Sequence, residues 1–189
     1  MAENLFFVAG SPALRKARVQ AELLANIDVP LLILGDSGTG RELTAHLIHK
    51  FSSRSHERFM RVNCAAFPGE LLESELFGYE RGAFTGALGT KAGKFELCDK
   101  GTILLDDVAE MPVSLQARLL RVLEDKQFCR FGCETTVKVD VRILAATNLD
   151  VRQALAEKRL HKDLYYRLSA FTVYVPRLSQ REDEIALSN

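Results

Sequence analysis

The sequence predicts an α/β domain in which helices cover both faces of a five-stranded parallel sheet. Short apolar runs recur along the chain, and segments with apolar residues at helical spacing separate them. Strands buried on both faces read as continuous apolar runs, and parallel neighbours need a crossover segment between them. The chain has 189 residues, of which 47% are hydrophobic and 26% are charged, which is enough for one domain with its own core.

The predicted strands and helices alternate from the N-terminus onward. Residues 30–34 form a short apolar run that stops at a glycine, which is typical of a buried strand leading into a turn. Pro112 indicates the start of the helix predicted at 113–125, because proline is tolerated in the first helical turn. In chain order we expect helix 13–27, strand 30–34, helix 41–51, strand 58–63, helix 69–76, a helical turn at 91–98, strand 101–107, helix 113–125, strand 141–147, helices 150–157 and 162–168, and strand 171–175.

Two segments between these elements are expected to be irregular or hairpin-like. Residues 77–90 contain four glycines, too many for the interior of an ordinary helix, so we expect a loop with a function. Residues 127–139 contain two short β-like runs around Gly132, which predicts a hairpin.

Composition and charge argue against several classes of protein. The formal net charge is zero, so the chain lacks the basic balance typical of a nucleic-acid-binding surface. The N-terminus has no signal pattern, and the apolar run at 30–34 is too short to span a membrane, so we expect a cytoplasmic protein without a membrane partner. The cysteines lack metal-ligand spacing and are expected to be free thiols; they are Cys64, Cys98, Cys129 and Cys133.

Residues 35–42 follow the pattern of a phosphate-binding loop between a strand and a helix. Gly35 and Gly40 have the required spacing, but Arg41 replaces the usual lysine and Glu42 replaces the usual hydroxyl residue. Backbone N–H groups of such a loop surround phosphates, and the helix N-terminus adds partial positive charge. A glycine turn that merely joins the two elements is the weaker alternative. The predicted nucleotide-binding residues are Gly35, Asp36, Ser37, Gly38, Thr39, Gly40, Arg41 and Glu42.

Polar residues follow two later strands and complete the predicted site. Asp106 and Asp107 close the strand at 101–107, where a carboxylate beside a phosphate loop binds Mg²⁺ and the next acidic residue polarises water. Asp107 is one methylene shorter than a glutamate, which predicts that it falls short of the attacking water. Thr147 and Asn148 end the next strand and are expected to face the γ-phosphate, because ligands lie at the carboxyl ends of parallel strands. Solvated acids and an asparagine helix cap remain the alternatives.

Several longer segments resemble one known family. The most specific is GAFTGA at residues 82–87, within LLESELFGYERGAFTGA at 71–87. Further resembling segments are NCAA at 63–66, the stretch 91–112, ILAATN at 143–148 and DLYYRL at 163–168. Together they resemble the AAA+ central domain of bacterial enhancer-binding proteins, which activate sigma-54 RNA polymerase.

The resemblance implies a fold and a set of functional residues. The fold would be a P-loop AAA+ three-layer sandwich that binds ATP or ADP with Mg²⁺, with Asp106 as the magnesium carboxylate. Asn63 would be a switch residue that relays the nucleotide state, and Arg167 an arginine finger for a neighbouring subunit. His161 stands where a second finger is expected, and a neutral imidazole cannot replace a permanent bidentate cation. The residues expected to contact sigma-54 are Gly82, Ala83, Phe84, Thr85, Gly86 and Ala87.

The resemblance also implies an assembly larger than this chain. Residues 1–189 would be the α/β subdomain, without the helical lid, and the regulatory and helix-turn-helix domains would lie outside this sequence. We expect self-association into a ring, a hexamer in the full protein, and DNA contact only through the C-terminal domain that this chain lacks.

Three residues depart from the family pattern at positions that act in the same reaction, the hydrolysis of ATP. Arg41, Asp107 and His161 alter the phosphate cation, the water-polarising acid and the finger that acts on a neighbour. We therefore hypothesise a regulator that binds nucleotide and sigma-54 polymerase but hydrolyses ATP weakly or not at all. Two alternatives stay open: a fully active ATPase that remodels sigma-54 polymerase, and a non-hydrolysing regulator that acts by binding alone, with another sigma factor or in a mixed ring.

Overall fold

The structure is a computed structural model that describes residues 12–36 and 38–175. The helices are α1 (Pro12–Ala25), α2 (Arg41–Lys50), α3 (Gly69–Phe77), α4 (Lys94–Leu97), α5 (Val113–Asp125), α6 (Val151–Ala156) and α7 (Lys162–Leu168), with a 3₁₀ turn at Val108–Glu110. The strands are β1 (Leu31–Leu34), β2 (Phe59–Asn63), β3 (Gly78–Tyr79), β4 (Lys91–Ala92), β5 (Thr102–Asp106), β6 (Gln127–Cys129), β7 (Thr136–Lys138), β8 (Arg142–Thr147) and β9 (Phe171–Tyr174). The predicted α/β class is confirmed.

The main sheet has five strands in the order β2-β5-β8-β1-β9, and every pairing is parallel. β1 lies between β8 and β9, with Leu34 in register with Thr147 on one side and Tyr174 on the other. All five strands therefore end at the same edge of the sheet. The loops that follow β1, β2, β5 and β8 come together there, as expected for ligand sites in parallel sheets.

Two apolar layers cover the sheet, one on each face. Leu31 and Ile33 of β1 belong to the cluster that includes residues of α1 and α2. Leu32 belongs to the larger cluster built with α3, α5, α6 and α7. Successive side chains of a strand point to opposite faces, so this division places helices on both sides of the sheet and makes a three-layer sandwich.

The predicted helical turn at 91–98 is only partly correct. Lys91 and Ala92 instead form β4, which pairs antiparallel with β3, and the helix begins at Lys94. Gly78 has φ of 73°, and a Cβ atom there would lie 2.2 Å from the carbonyl oxygen of Lys91. Only glycine permits this close approach, so the pairing depends on a tertiary contact that the periodicity of residues 91–98 does not show. The predicted hairpin around Gly132 is confirmed by the antiparallel pairing of β6 with β7.

The cysteines are free thiols, as expected from their spacing. Burial raises the pKa of Cys64 to about 12 and that of Cys98 to about 11, so both stay protonated and pack as apolar side chains. Within the part of the chain that the structure describes, no helix combines the length and apolar character needed to cross a membrane.

Candidate nucleotide site and contact loop

The phosphate-loop segment lies between the C-terminal end of β1 and the N-terminus of α2. Gly38 and Gly40 have φ values of 78° and 96°, which favour glycine, and a Cβ atom on Gly38 would meet open space. A Cβ atom on Gly35 would lie 2.8 Å from both Thr39 Oγ1 and the carbonyl oxygen of Val175. The first N–H groups of α2 have no partner within the helix, so the segment is shaped to receive an anion. Ser37 lies outside the described residues.

A cavity of about 680 Å³ opens beside this loop at the carboxyl edge of the sheet. It brings the loop together with the ends of β2 and β5, which pair in register so that Asn63 stands opposite Asp106. The residues that line the cavity are Gly38, Gly40, Arg41, Glu42, Leu43, His46, Arg61, Asn63, Asp106 and Asp107. The structure thus unites the loop, the acidic pair and the switch position that the sequence predicts separately.

Arg41 is buried and paired with both acidic residues at the end of β5. Its side chain is 7% exposed, and its Nη2 atom lies 2.9 Å from Asp107 Oδ1 and 3.2 Å from Asp106 Oδ1. Its other terminal nitrogen, Nη1, is buried and has no hydrogen-bond partner. A buried donor without a partner is costly, so the double ion pair leaves part of the Arg41 guanidinium unsatisfied.

Arg61 is a second cation of the site, and the sequence predictions did not include it. Arg61 Nη2 donates to Asp106 Oδ2 at 2.7 Å, and Nη1 lies 3.0 Å from Glu42 Oε2. The hydrogen bond to Asp106 raises the pKa of Arg61 above its ordinary value. Its position on β2, two residues before Asn63, is the only signal that sequence offers, because side chains two apart on a strand share a face. We call Arg41, Glu42, Arg61, Asp106 and Asp107 the ion-pair cluster.

Thr147 and Asn148 do not line the cavity, although both follow β8 at the correct edge. Thr147 is buried, and its Oγ1 accepts a hydrogen bond from the backbone N–H of Leu149. Asn148 is exposed and does not cap the next helix. Asp150 caps it instead, since its side chain accepts from the N–H groups of Arg152 and Gln153. The predicted asparagine cap is therefore wrong.

The switch and finger positions lie in three different environments. Asn63 lines the cavity, but its Oδ1 accepts a hydrogen bond from the backbone N–H of Ala65. Arg167 lies on α7 with an exposed side chain and does not line the cavity of its own chain. His161 precedes α7 and is half exposed, with Nδ1 3.8 Å from Asp163 Oδ2. The cavity of one chain therefore brings Asn63 together with the acidic pair, but not Arg167 or His161.

Residues 82–87, which we call the contact loop, form a tight turn that exposes the side chains of Phe84 and Thr85. Gly82 donates to the carbonyl of Ala87, and Ala87 donates to that of Phe84. Gly82 and Gly86 have φ values of 83° and 101°, a conformation that favours glycine. Phe84 is 45% exposed and Thr85 is exposed, whereas Ala87 is buried.

The β6–β7 hairpin supports the contact loop, a role that the sequence predictions missed. Phe84 packs against Tyr79 and Phe131, with ring centroids 5.0 Å and 6.4 Å away. The backbone of Phe131 donates to Gly78 and accepts from Glu80. Gly132 lies so close to the loop that a Cβ atom there would be 2.6 Å from the Cβ of Ala83. The segments are about 50 residues apart in sequence, as the Arg130–Glu80 ion pair illustrates, so no local pattern reveals the contact.

A parallel sheet with a glycine loop between a central strand and a helix defines the class of P-loop nucleotide-binding domains. Within that class, residues 7–174 match the family described as the Sigma-54 interaction domain. Because the match covers most of the chain, the protein belongs to this family.

Known relatives and structures agree with this assignment. The chain is 46% identical over 180 residues to the formate hydrogenlyase transcriptional activator FhlA of Escherichia coli, covering 95% of this chain and 26% of that protein. It is 48% identical over 180 residues to the anaerobic nitric oxide reductase transcription regulator NorR of Aeromonas salmonicida, covering 95% of this chain and 35% of that protein. The chain thus spans about a quarter to a third of the length of these relatives.

Solved structures of NtrX from Brucella abortus share the fold. The structure in complex with ADP is 40% identical and has a TM-score of 0.86, covering 93% of this chain and 38% of that one. The structure in complex with ATP is 40% identical with a TM-score of 0.87, covering 94% of this chain and 38% of that one. The chain is thus homologous to sigma-54-dependent transcriptional activators, and its fold is the α/β fold of their P-loop domain.

Proposed function

We propose that this domain binds ATP or ADP at residues 35–42, contacts sigma-54 RNA polymerase through the contact loop, and hydrolyses ATP weakly or not at all. The observation that carries the proposal is the double ion pair of Arg41 with Asp106 and Asp107. In this double ion pair, the cation of the phosphate loop and the two carboxylates expected to act in hydrolysis bind one another. They are therefore not placed to act on a nucleotide.

Nucleotide binding is supported by the shape of the loop and by one unsatisfied donor. The positive φ angles of Gly38 and Gly40 and the open space above Gly38 leave room for phosphate oxygens against the N-terminus of α2. The buried Nη1 of Arg41 has no partner in this conformation, and a phosphate oxygen would satisfy it once the side chain turns toward the loop. The homologous NtrX structures in complex with ADP and ATP support an adenine nucleotide as the ligand.

Weak hydrolysis follows from what each altered residue does in the site. The Arg41 guanidinium is tied to carboxylates, so it is not positioned as a compact charge on the transferring phosphoryl group. Asp107 has a shorter side chain than glutamate, and its Oδ1 accepts from Arg41 instead of facing a water molecule. His161 supplies no permanent bidentate cation to a neighbour.

A phosphate-release assay on the 189-residue chain, run at concentrations that permit self-association, tests the hydrolysis proposal. We expect turnover far below that of an active family member, and a rise of about 10²-fold or more in the variant that combines Arg41→Lys, Asp107→Glu and His161→Arg. The single change Arg152→Lys, on the exposed face of α6, is the matched control. Turnover of the unmodified chain equal to that of an active relative would instead support the fully active ATPase.

The sigma-54 contact is supported by the outward side chains of Phe84 and Thr85. An exposed aromatic ring on a short glycine-bounded turn is a suitable anchor for a partner pocket. Capture of purified sigma-54 by the chain should be lost in Phe84→Ala and retained in Leu88→Ala, which removes a neighbouring side chain that is 89% exposed. Equal capture by both variants would contradict the contact. Capture of another sigma factor instead would favour the alternative of a regulator that acts by binding alone.

Self-association is supported by the exposure of Arg167, whose charge is available to a neighbouring subunit. A ring, a hexamer in the full protein, would place this side chain near the nucleotide of the next subunit. Contact with DNA would then belong to another domain of a longer protein, consistent with the zero net charge of this one.

A further inference from the structure

We propose that Arg41 takes the place of the magnesium ion in this site, so that nucleotide binds with an affinity that does not depend on a divalent cation. This inference rests on the proposed nucleotide binding and concerns the chemistry of the same cavity. The family resemblance implies Mg²⁺ with Asp106 as its carboxylate, and the residues of this chain do not fit that ion.

Both oxygens of Asp106 are already engaged by cations. Oδ1 lies 3.2 Å from Arg41 Nη2 and also accepts from the backbone N–H of Asp107 at 3.1 Å, while Oδ2 accepts from Arg61 Nη2 at 2.7 Å. Asp107 Oδ1 accepts from the same Arg41 nitrogen at 2.9 Å. Mg²⁺ requires oxygen ligands in an octahedral shell at about 2 Å. It would have to displace at least one guanidinium from a carboxylate that is 6% exposed.

The charges of the cluster lead to the same conclusion. Arg41 and Arg61 neutralise Asp106 and Asp107, which would otherwise repel a polyphosphate and need a metal ion between them and it. Glu42, the third carboxylate of the cluster, is 56% exposed and pairs with Arg61 where solvent screens its charge. A divalent cation added within a few ångströms of two guanidinium groups would be repelled in turn. In this chain the neutralisation of the acidic pair that Mg²⁺ usually supplies is already provided by fixed arginine charge.

The guanidinium of Arg41 can hold the acidic pair with one terminal nitrogen and keep the other for a phosphate oxygen, which reaches it when the side chain turns toward the loop. A guanidinium presents its donors in a rigid planar fork, so one terminal nitrogen can hold carboxylates while the other faces elsewhere. Nη2 holds the acidic pair, and Nη1 is the buried atom without a partner. A lysine ammonium at this position, as a single shorter point charge, would not bridge in this way and would leave the carboxylates available to a metal ion.

The decisive measurement is the dissociation constant of the 189-residue chain for a fluorescent ADP analogue, with Mg²⁺ and with EDTA. We expect the two values to agree within about threefold for the unmodified chain. In Arg41→Lys we expect Mg²⁺ to tighten binding by about tenfold or more, because Asp107 and the Oδ1 atom of Asp106 lose their guanidinium partner, while Arg61 still holds Oδ2. Arg152→Lys, outside the cavity, should behave as the unmodified chain.

Bound Mn²⁺, detected by electron paramagnetic resonance in the ADP complex, gives a second reading that does not need the variant to fold. The unmodified chain should show no protein-bound Mn²⁺ signal beyond that of free Mn²⁺–ADP. Tightening of wild-type binding by Mg²⁺ of about tenfold, or a protein-bound Mn²⁺ signal, would overturn the inference while leaving nucleotide binding intact. No ADP binding with or without Mg²⁺ would instead refute the proposed nucleotide site, and the inference with it.

Discussion

The nucleotide cavity and the contact loop use their polar and aromatic groups in opposite ways. In the cavity, Arg41 is 7% exposed and its charge is satisfied by carboxylates of its own chain. In the contact loop, Phe84 is 45% exposed and rests on Tyr79 and Phe131 without being covered. The difference shows that the charges of the cavity are paired within the chain, whereas the aromatic ring of the contact loop stays half open to solvent.

The two regions also differ in how they are held. Long-range ion pairs close the cavity, and these weaken only if a partner charge is removed or a ligand competes for it. Backbone hydrogen bonds and glycine conformations hold the contact loop, together with the close approach of Gly132 to Ala83. Substitutions that act on one kind of support should leave the other region unchanged, which gives two tests. An ion pair outside both regions gives a third, as a reference for a small effect.

The largest effect is expected from Asp106→Ala, which removes the centre of the ion-pair cluster. Arg41 would stay buried with only Asp107 as its partner, and Arg61 would lose its shortest contact. We expect the free energy of unfolding to fall by about 3 kcal/mol, because a buried charge loses its compensation. Urea denaturation followed by circular dichroism measures this loss.

Glu42→Gln is the matched control for that loss. It breaks the Arg61 pair at a carboxylate that is 56% exposed, and it should change stability by about 0.5 kcal/mol or less. If both variants unfold at the same urea concentration as the unmodified chain, the cluster does not stabilise the fold and the contrast between the two regions is lost.

An intermediate effect is expected from Gly132→Ala, which acts on the support of the contact loop. Alanine would have to adopt φ of 77°, and its Cβ would lie 2.6 Å from the Cβ of Ala83. We expect a loss of about 1–2 kcal/mol, with faster hydrogen exchange in residues 82–87 but unchanged nucleotide affinity.

Gly89→Ala tests whether that effect comes from the contact and not from removing any glycine. A Cβ atom on Gly89 would have no neighbour within 4 Å, and the backbone there is not in the left-handed region, so exchange in the contact loop should stay as in the unmodified chain. Equal exchange rates in the two alanine variants would show that the hairpin does not hold the loop.

The smallest effect is expected at an ion-pair cluster where Arg54, whose side chain is 12% exposed, pairs with the exposed carboxylates of Asp28 and Asp140. The hydrogen bond from Arg54 lowers the pKa of Asp140 below its ordinary value of 3.8. Because the folded pKa is the lower one, the pair stabilises the fold above pH 3.8 and this contribution is lost as the pH falls through the folded pKa.

Asp140→Asn should therefore lower the free energy of unfolding slightly at neutral pH and have no effect on it in acid, where Asp140 is already protonated. Asp140 is 48% exposed, so solvent screening limits the loss to about 0.5 kcal/mol at pH near 7. Urea midpoints of the variant and the unmodified chain should converge as the pH falls below 3.8 and Asp140 becomes protonated in the folded chain. A constant difference at neutral and at acidic pH would show that the effect is not electrostatic.

Much of the site was predictable because its parts lie at the ends of predictable strands. The strand before Gly35 and the strand that ends at Asp106 are short apolar runs, and the parallel order puts their ends at one edge. The same reasoning placed Thr147 at that edge but not the direction of its side chain. Its hydroxyl turns to the N–H of Leu149, a local choice that strand periodicity does not determine.

The partner of each charged group was the part that sequence reasoning missed. Arg41 and Asp107 are 66 residues apart, and Arg61 and Asp106 are 45 apart. The residues that lie near either partner in the sequence do not indicate the other partner. The division of a longer protein into sensory and DNA-binding domains stays a prediction, as do the roles of Asn63 and Arg167.

The sequence by itself determined the α/β class, the order of strands and helices, the phosphate-loop segment and the glycine-bounded contact loop, because each depends on local periodicity or backbone freedom. Only the tertiary structure decided that Arg41 faces the acidic pair, that Arg61 joins it, and that Phe131 lies under Phe84. These contacts form because the order of the strands in the sheet brings together segments that are far apart in the chain. The distances between those segments set the electrostatic and packing energies, and a local sequence pattern does not indicate these distances.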